Sequence, residues 1–127
     1  MFQKSLRLCY NTSDGLCQFI LKGFNTMRII QVLGTNGKGT TSTYIADILT
    51  QAGYKTGLFT SPHLIRREER IKIDKKNIPA ERFDALEEKY KSEETFFKTF
   101  TKAAMEYFEE EKVDFAVLEC GIGGRKD

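Results

Sequence analysis

The sequence predicts an α/β domain: a mostly parallel sheet with flanking helices. Three observations carry that expectation. Short apolar, β-branched runs recur along the chain, amphipathic helical patterns separate them, and a glycine-rich turn joins the first strong run to the helical pattern after it.

Residues 1–27 set Phe2, Leu6, Cys9, Leu16, Phe19 and Ile20 around the turn formers Asn11-Thr12-Ser13-Asp14-Gly15, and that pattern predicts an N-terminal helical segment of two short helices. Arg28–Leu33 is β-branched and stops at a glycine, as a buried parallel strand does at a tight loop. Thr40–Gln51 places Tyr44, Ile45, Ile48 and Leu49 on one helical face and ends at Ala52-Gly53. Lys55–Thr60 is a second short strand, and strand, helix, strand within about 33 residues is a parallel crossover unit.

Arg70–Asp74 alternates polar and apolar residues and predicts a short strand or excursion. Ala80–Lys91 follows Pro79 at a helix start. Thr95–Glu111 sets Phe96, Phe97, Phe100, Ala103, Ala104, Tyr107 and Phe108 at offsets near 3 and 4, a long amphipathic helix with Glu109-Glu110-Glu111 in solvent. Val113–Glu119 is apolar enough to be a central strand and runs into Gly121-Ile122-Gly123-Gly124. Three strands make a narrow sheet, so residues 28–127 read as an incomplete domain.

The 127 residues fit one small domain, and 40% hydrophobic with 30% charged residues is a globular composition. Lys+Arg 20 against Asp+Glu 18 leaves +2, too small an excess to build a strong field for nucleic acid. The basic side chains of Arg66, Arg67, Arg70, Lys72, Lys75 and Lys76 are interrupted by Glu68, Glu69 and Asp74 and read as a solvated stretch. No apolar run nears the roughly 20 residues of a membrane-crossing helix, and residues 1–7 lack a signal-type apolar segment. A cytoplasmic protein is expected, contacting neither membrane nor nucleic acid. Cys9, Cys17 and Cys120 form no metal-binding spacing and are expected as reduced thiols.

The strongest chemical signal is Gly34-Thr35-Asn36-Gly37-Lys38-Gly39-Thr40-Thr41, between strand and helix. Glycines let successive N–H groups converge on phosphate oxygens, Lys38 adds a compact positive charge, and the Thr40 and Thr41 hydroxyls reach toward a phosphate or Mg²⁺. The stretch departs from G-x-x-x-x-G-K-[ST] in two ways. Val32 stands where the first glycine would be, and Gly39 separates Lys38 from Thr40. Glu119, at the carboxyl end of an apolar strand, is placed where open α/β sheets collect ligands, and a carboxylate beside a phosphate loop suits Mg²⁺. Ser61-Pro62-His63 follows the second strand onto the same edge.

Together these stretches resemble the folylpolyglutamate synthase/dihydrofolate synthase family, relatives of the Mur ligases. The resemblance is carried by Gly34–Thr40, Thr60-Ser61-Pro62-His63-Leu64, Glu69-Arg70-Ile71 and Leu118-Glu119-Cys120-Gly121-Ile122-Gly123-Gly124-Arg125-Lys126-Asp127. It implies an N-terminal part of a Mur-ligase-like ATPase domain, with the C-terminal domain absent. It also implies an ATP- and Mg²⁺-dependent ligase that adds L-glutamate to folate or dihydropteroate through an acyl phosphate. By that resemblance Lys38 and residues 34–41 hold the nucleotide, Ser61 and Glu119 hold Mg²⁺, Lys38 and Glu119 serve catalysis, and His63 and Arg70 belong to the folate side.

Two places depart from the family. Arg66-Arg67-Glu68-Glu69-Arg70-Ile71 stands where the family often has Arg-Phe-Asn-Glu-Arg-Ile, and Lys98 replaces an acidic residue. The resemblance further implies that the 127 residues alone lack ligase activity. The alternatives are a non-catalytic nucleotide-binding remnant and part of a Mur-type peptide ligase.

Overall fold

The computed structural model describes residues 9–12, 15–18, 27–93 and 95–120. The sequence expectations that rest on Gly121–Asp127 lie outside those residues. Seven segments of the α/β core follow the expected order, β3 (Arg28–Val32), α1 (Lys38–Gln51), β4 (Thr56–Phe59), β5 (Ile71–Ile73), α2 (Ala80–Tyr90), α3 (Phe96–Glu110) and β7 (Phe115–Glu119), and a two-residue strand that was not expected, β6 (Lys76–Asn77), lies between β5 and α2. Ahead of them, β1 (Cys9–Thr12) and β2 (Gly15–Gln18) pair antiparallel. At residues 9–12 and 15–18 these strands correct the helical segment expected over residues 1–27, and the rest of that expectation, up to residue 26, lies outside the described residues. Apolar residues spaced three to four apart suit either element over so short a stretch, and the Asn-Thr-Ser-Asp-Gly cluster is also a hairpin turn signal.

The main sheet runs β3-β7-β4-β5-β6. β3, β7 and β4 are mutually parallel, with β7 central as expected, and β4 to β5 and β5 to β6 are antiparallel. The sheet is therefore wider than the three-strand reading, because Arg70–Asp74 supplies a true strand on β4's outer edge. β5 and β6 meet at a two-residue turn, Asp74-Lys75, in which both residues have positive φ (47° and 70°). The Asp74 carboxylate accepts the Thr56 N–H at 2.9 Å and the Asp74 N–H donates to the Thr56 carbonyl at 3.0 Å, tying that turn back to β4.

Strand alternation sorts the two faces. Ile29, Phe59, Ala116 and Leu118 point to α2 and α3, where they join Phe83, Leu86, Phe100, Ala103, Ala104 and Phe108 in the larger core. Each fully buried ring or branched chain there contributes on the order of 1.5–3 kcal/mol. Val32, Leu58 and Val117 point to α1, where they meet Ala46 with Ile30, Ile45 and Leu49 at the margin. Tyr44 and Ile48, expected on the packed face of that helix, are each 66% exposed. The buried line of α1 runs instead through Ser42 and Ala46, small residues that let the helix lie close to the sheet.

A second close approach is made by Gly57 in β4. A Cβ there would fall 2.6–2.8 Å from the ring of Phe108, so α3 rests directly on strand backbone at that point. α3 is capped by the Thr95 hydroxyl, which accepts the Lys98 N–H at 3.2 Å. No helix among the described residues is long and apolar enough to cross a membrane.

Candidate functional site

Three parallel strands end on one edge of the sheet, where the loops that leave β3 and β4 meet the end of β7. β3 runs into residues 33–37, which turn onto α1. Gly37 takes the left-handed conformation (φ 76°, ψ 11°) that a residue with a Cβ rarely adopts, and it caps α1 with no side-chain hydrogen bond. The first N–H groups of α1 thus open onto the edge, with the positive end of the helix dipole behind them. The Ser42 hydroxyl donates to the Lys38 carbonyl at 2.7 Å and the Thr43 hydroxyl to the Gly39 carbonyl at 2.8 Å, tightening this first turn.

β7 delivers Glu119 to the same place. Period-two alternation puts Glu119 on the face of Val117, which is the face of α1, and β3 and β7 are in register with Val32 opposite Glu119. Glu119 is 6% exposed. It lies against Gly39, where an added Cβ would stand 3.3 Å from Glu119 Oε2. On its other side, Oε2 accepts the main-chain N–H of Ser61 at 3.1 Å. Past the strand, the Cys120 N–H donates to the Val32 carbonyl at 3.0 Å, and Cys120 itself is a buried thiol.

The loop after β4 carries Ser61, Pro62 and His63, and a 3-10 turn (Arg67–Arg70) closes it. Glu69 holds it together. Its carboxylate accepts the N–H groups of Leu64, Ile65 and Arg66 at 3.0, 3.2 and 2.9 Å. Those bonds, Arg66's foremost, hold the Glu69 carboxyl below the ordinary carboxylate range. Leu64 and Ile65 point outward, 91% and 87% exposed. The Thr60 N–H donates to the Arg70 carbonyl at 3.0 Å. The Arg70 Nε–H donates to His63 Nδ1 at 2.9 Å, and the guanidinium lies over the Phe100 ring at 5.0 Å. Partial burial lowers the Arg70 pKa, yet a guanidinium keeps its charge.

The edge therefore brings residues 34–41, Ser61 and Glu119 together, with His63 and Arg70 joined to each other across the adjoining loop. Glu69 was missed as a site residue in the sequence reading. Its signal is a glutamate three positions after the residue that precedes a helical turn, the second half of a capping box. Of the family departures, Arg67 stacks over Phe83 at 5.3 Å and pairs with Asp84 at 3.2 Å and with Glu87, which fastens the 3-10 turn to α2. Arg66 pairs with Glu68 at 3.8 Å and Lys75 with Asp47 at 3.5 Å, so part of the basic stretch is neutralised locally.

Fold and site together define an α/β phosphate-loop domain in which a strand-end carboxylate sits beside the first turn of the loop's helix. No family model matches the chain. Among curated proteins it is 37% identical over 110 residues to the dihydrofolate synthetase of Saccharomyces cerevisiae, an alignment covering 81% of this chain and 26% of that protein. It is 38% identical over 104 residues to the dihydrofolate synthase/folylpolyglutamate synthase of Escherichia coli, covering 78% and 25%. E. coli FolC in complex with DHPP and ADP superimposes with a TM-score of 0.71 at 37% identity, covering 76% of this chain and 25% of that one. The Yersinia pestis bifunctional enzyme complexed with AMPPNP and Mn ion gives 0.73 at 34% identity, covering 83% and 26%. The chain belongs to the folylpolyglutamate synthase/dihydrofolate synthase family and has its Mur-ligase-like fold. It spans about a quarter of the length of these relatives.

Proposed function

We propose that the chain carries the nucleotide-binding part of an ATP-dependent ligase that joins L-glutamate to folate or dihydropteroate. The observation that supports this most is the seating of the Glu119 carboxylate between Gly39 and the Ser61 N–H, beside the open first turn of α1. The site fits a magnesium nucleotide on its own geometry. The N–H groups at a helix start suit phosphate oxygens, and a buried carboxylate next to them offers the hard oxygen ligand that Mg²⁺ prefers. When bound, ATP supplies the phosphoryl group that makes a substrate carboxylate an acyl phosphate open to an amine, and Mg²⁺ supplies the positive charge that phosphoryl transfer needs.

The residues divide the work accordingly. Lys38 and the amides of Gly34, Thr35, Asn36, Gly37, Gly39 and Thr40 hold phosphate oxygens, with the Thr40 and Thr41 hydroxyls at the same turn. Glu119 and Ser61 hold the cation. His63 and Arg70 face the folate side, kept in a fixed orientation by their mutual hydrogen bond. Because phosphoryl transfer depends on positioning and charge neutralisation, Lys38 and Glu119 matter to catalysis more than to folding. The relatives' complexes with ADP, and with AMPPNP and Mn ion, support the choice of ligand. We place the protein in the cytoplasm, a reading supported by its short apolar runs. A chain spanning about a quarter of its relatives is expected to bind nucleotide without completing ligation, and ATP-dependent γ-glutamylation by the pure chain would refute that.

The test is titration of the wild-type chain, Lys38→Ala and Glu119→Gln with ADP and Mn²⁺, read by calorimetry and by the free Mn²⁺ electron-spin signal. Wild type should bind, and each variant should bind at least about ten-fold more weakly with its melting temperature kept. A wild-type chain indifferent to Mn²⁺ and ADP, or variants that bind as it does, would overturn the reading.

A further inference from the structure

Gly39 separates Lys38 from Thr40, where the common phosphate loop has a hydroxyl residue directly after the lysine. Its backbone does not account for the glycine. Gly34, Gly37 and Gly53 have positive φ, but Gly39 does not, and it lies inside α1, where glycine is a poorer helix former than alanine. Something other than chain flexibility favours the missing side chain.

The space around Gly39 supplies the reason. A Cβ at this position would meet Glu119 Oε2 at 3.3 Å and the carboxyl carbon and Oε1 at 3.8 Å each. The same Oε2 is held from the other side by the Ser61 N–H at 3.1 Å. The carboxylate is thus gripped between the α1 backbone and the loop after β4, and its buried setting leaves it little room to retreat. We infer that Gly39 is a positioning residue. By having no side chain, it lets the strand-end carboxylate seat against the first turn of α1 and keep its bond to Ser61. Position 39 then sets how closely Glu119 can seat against this phosphate loop. A loop with a side chain there would have to draw its acidic partner from another strand or accept a displaced one.

This inference deepens the cation-site reading and rests on it for its consequence, but the seating itself can be measured without any ligand. The experiment compares the wild-type chain, Gly39→Ala, Glu119→Ala and the double variant. Two quantities are read: the Ser61 amide proton shift by ¹⁵N-resolved NMR, and the affinity for Mn²⁺ with ADP. Alanine favours helix, so Gly39→Ala is expected to keep its thermal midpoint. Its Ser61 amide should move toward the position found in Glu119→Ala, and Mn²⁺ affinity should fall about ten- to a hundred-fold, the usual cost of disturbing a group that orients a metal ligand. In the Glu119→Ala background the same substitution should change neither reading. An unmoved Ser61 amide in Gly39→Ala, or an equal loss of Mn²⁺ affinity with and without Glu119, would overturn the inference. If the amide moves as stated but the wild-type chain takes up no Mn²⁺, the seating stands and the cation reading falls.

Discussion

On the α2/α3 side of the sheet, phenylalanine rings from two helices close over Ile29, Phe59, Ala116 and Leu118. On the α1 side, Val32, Ala46, Leu58 and Val117 make a core of small and medium residues, and it ends at a buried carboxylate. Each side has a glycine that clears a neighbour: Gly57 for the Phe108 ring, Gly39 for the Glu119 carboxylate. The difference teaches how one sheet separates two demands. Stability is concentrated where large apolar surface is buried, while the α1 face holds polar backbone and a buried charge at its rim.

The comparison can be broken by mutation. Phe108→Ala should cost the most, about 3–5 kcal/mol, because it empties a fully buried site; denaturant unfolding would show it. Gly57→Ala should cost about 1–3 kcal/mol by forcing that same ring away from β4, and Phe108→Leu alongside it should recover part of the loss. If either proves silent, the α2/α3 face is not the main source of stability. Acidification sharpens the other half of the contrast. The folded-state pKa of Glu69 is depressed, so its contribution to the 61–66 loop is full above the ordinary carboxylate value of 4.5 and is lost as pH falls through the lower folded value. The Leu64, Ile65 and Arg66 amide shifts should titrate together in that acid window, and Glu69→Gln should abolish the shared step. The smallest effect on folding is expected from Lys38→Ala, within about 0.5 kcal/mol, even though it removes the loop's charge. A Lys38 variant as unstable as Phe108→Ala would merge the two faces into one cooperative role.

Much of this was legible in the chain. The Phe96-to-Phe108 spacing foretold a long helix on the sheet, and the apolar run ending at Glu119 foretold a central strand, since both patterns are strong and local. Residues 9–12 and 15–18 misled because short apolar spacings do not separate paired strands from two small helices. Tyr44 and Ile48 misled because a helix pressed close to a sheet buries its smallest residues, so hydrophobicity pointed to the margin and not to the contact line. Glu69 was hidden for another reason: its partners are backbone amides, which carry no letter in a sequence.

The Asp74-Lys75 turn bears on how molecules of this protein meet one another. It ends the sheet on a strand of only two residues, Lys76 and Asn77, both exposed, with a lysine among its outward groups. So short and charged a margin offers an incoming chain almost no ladder to extend, which favours dispersed molecules over fibrous stacking at that end.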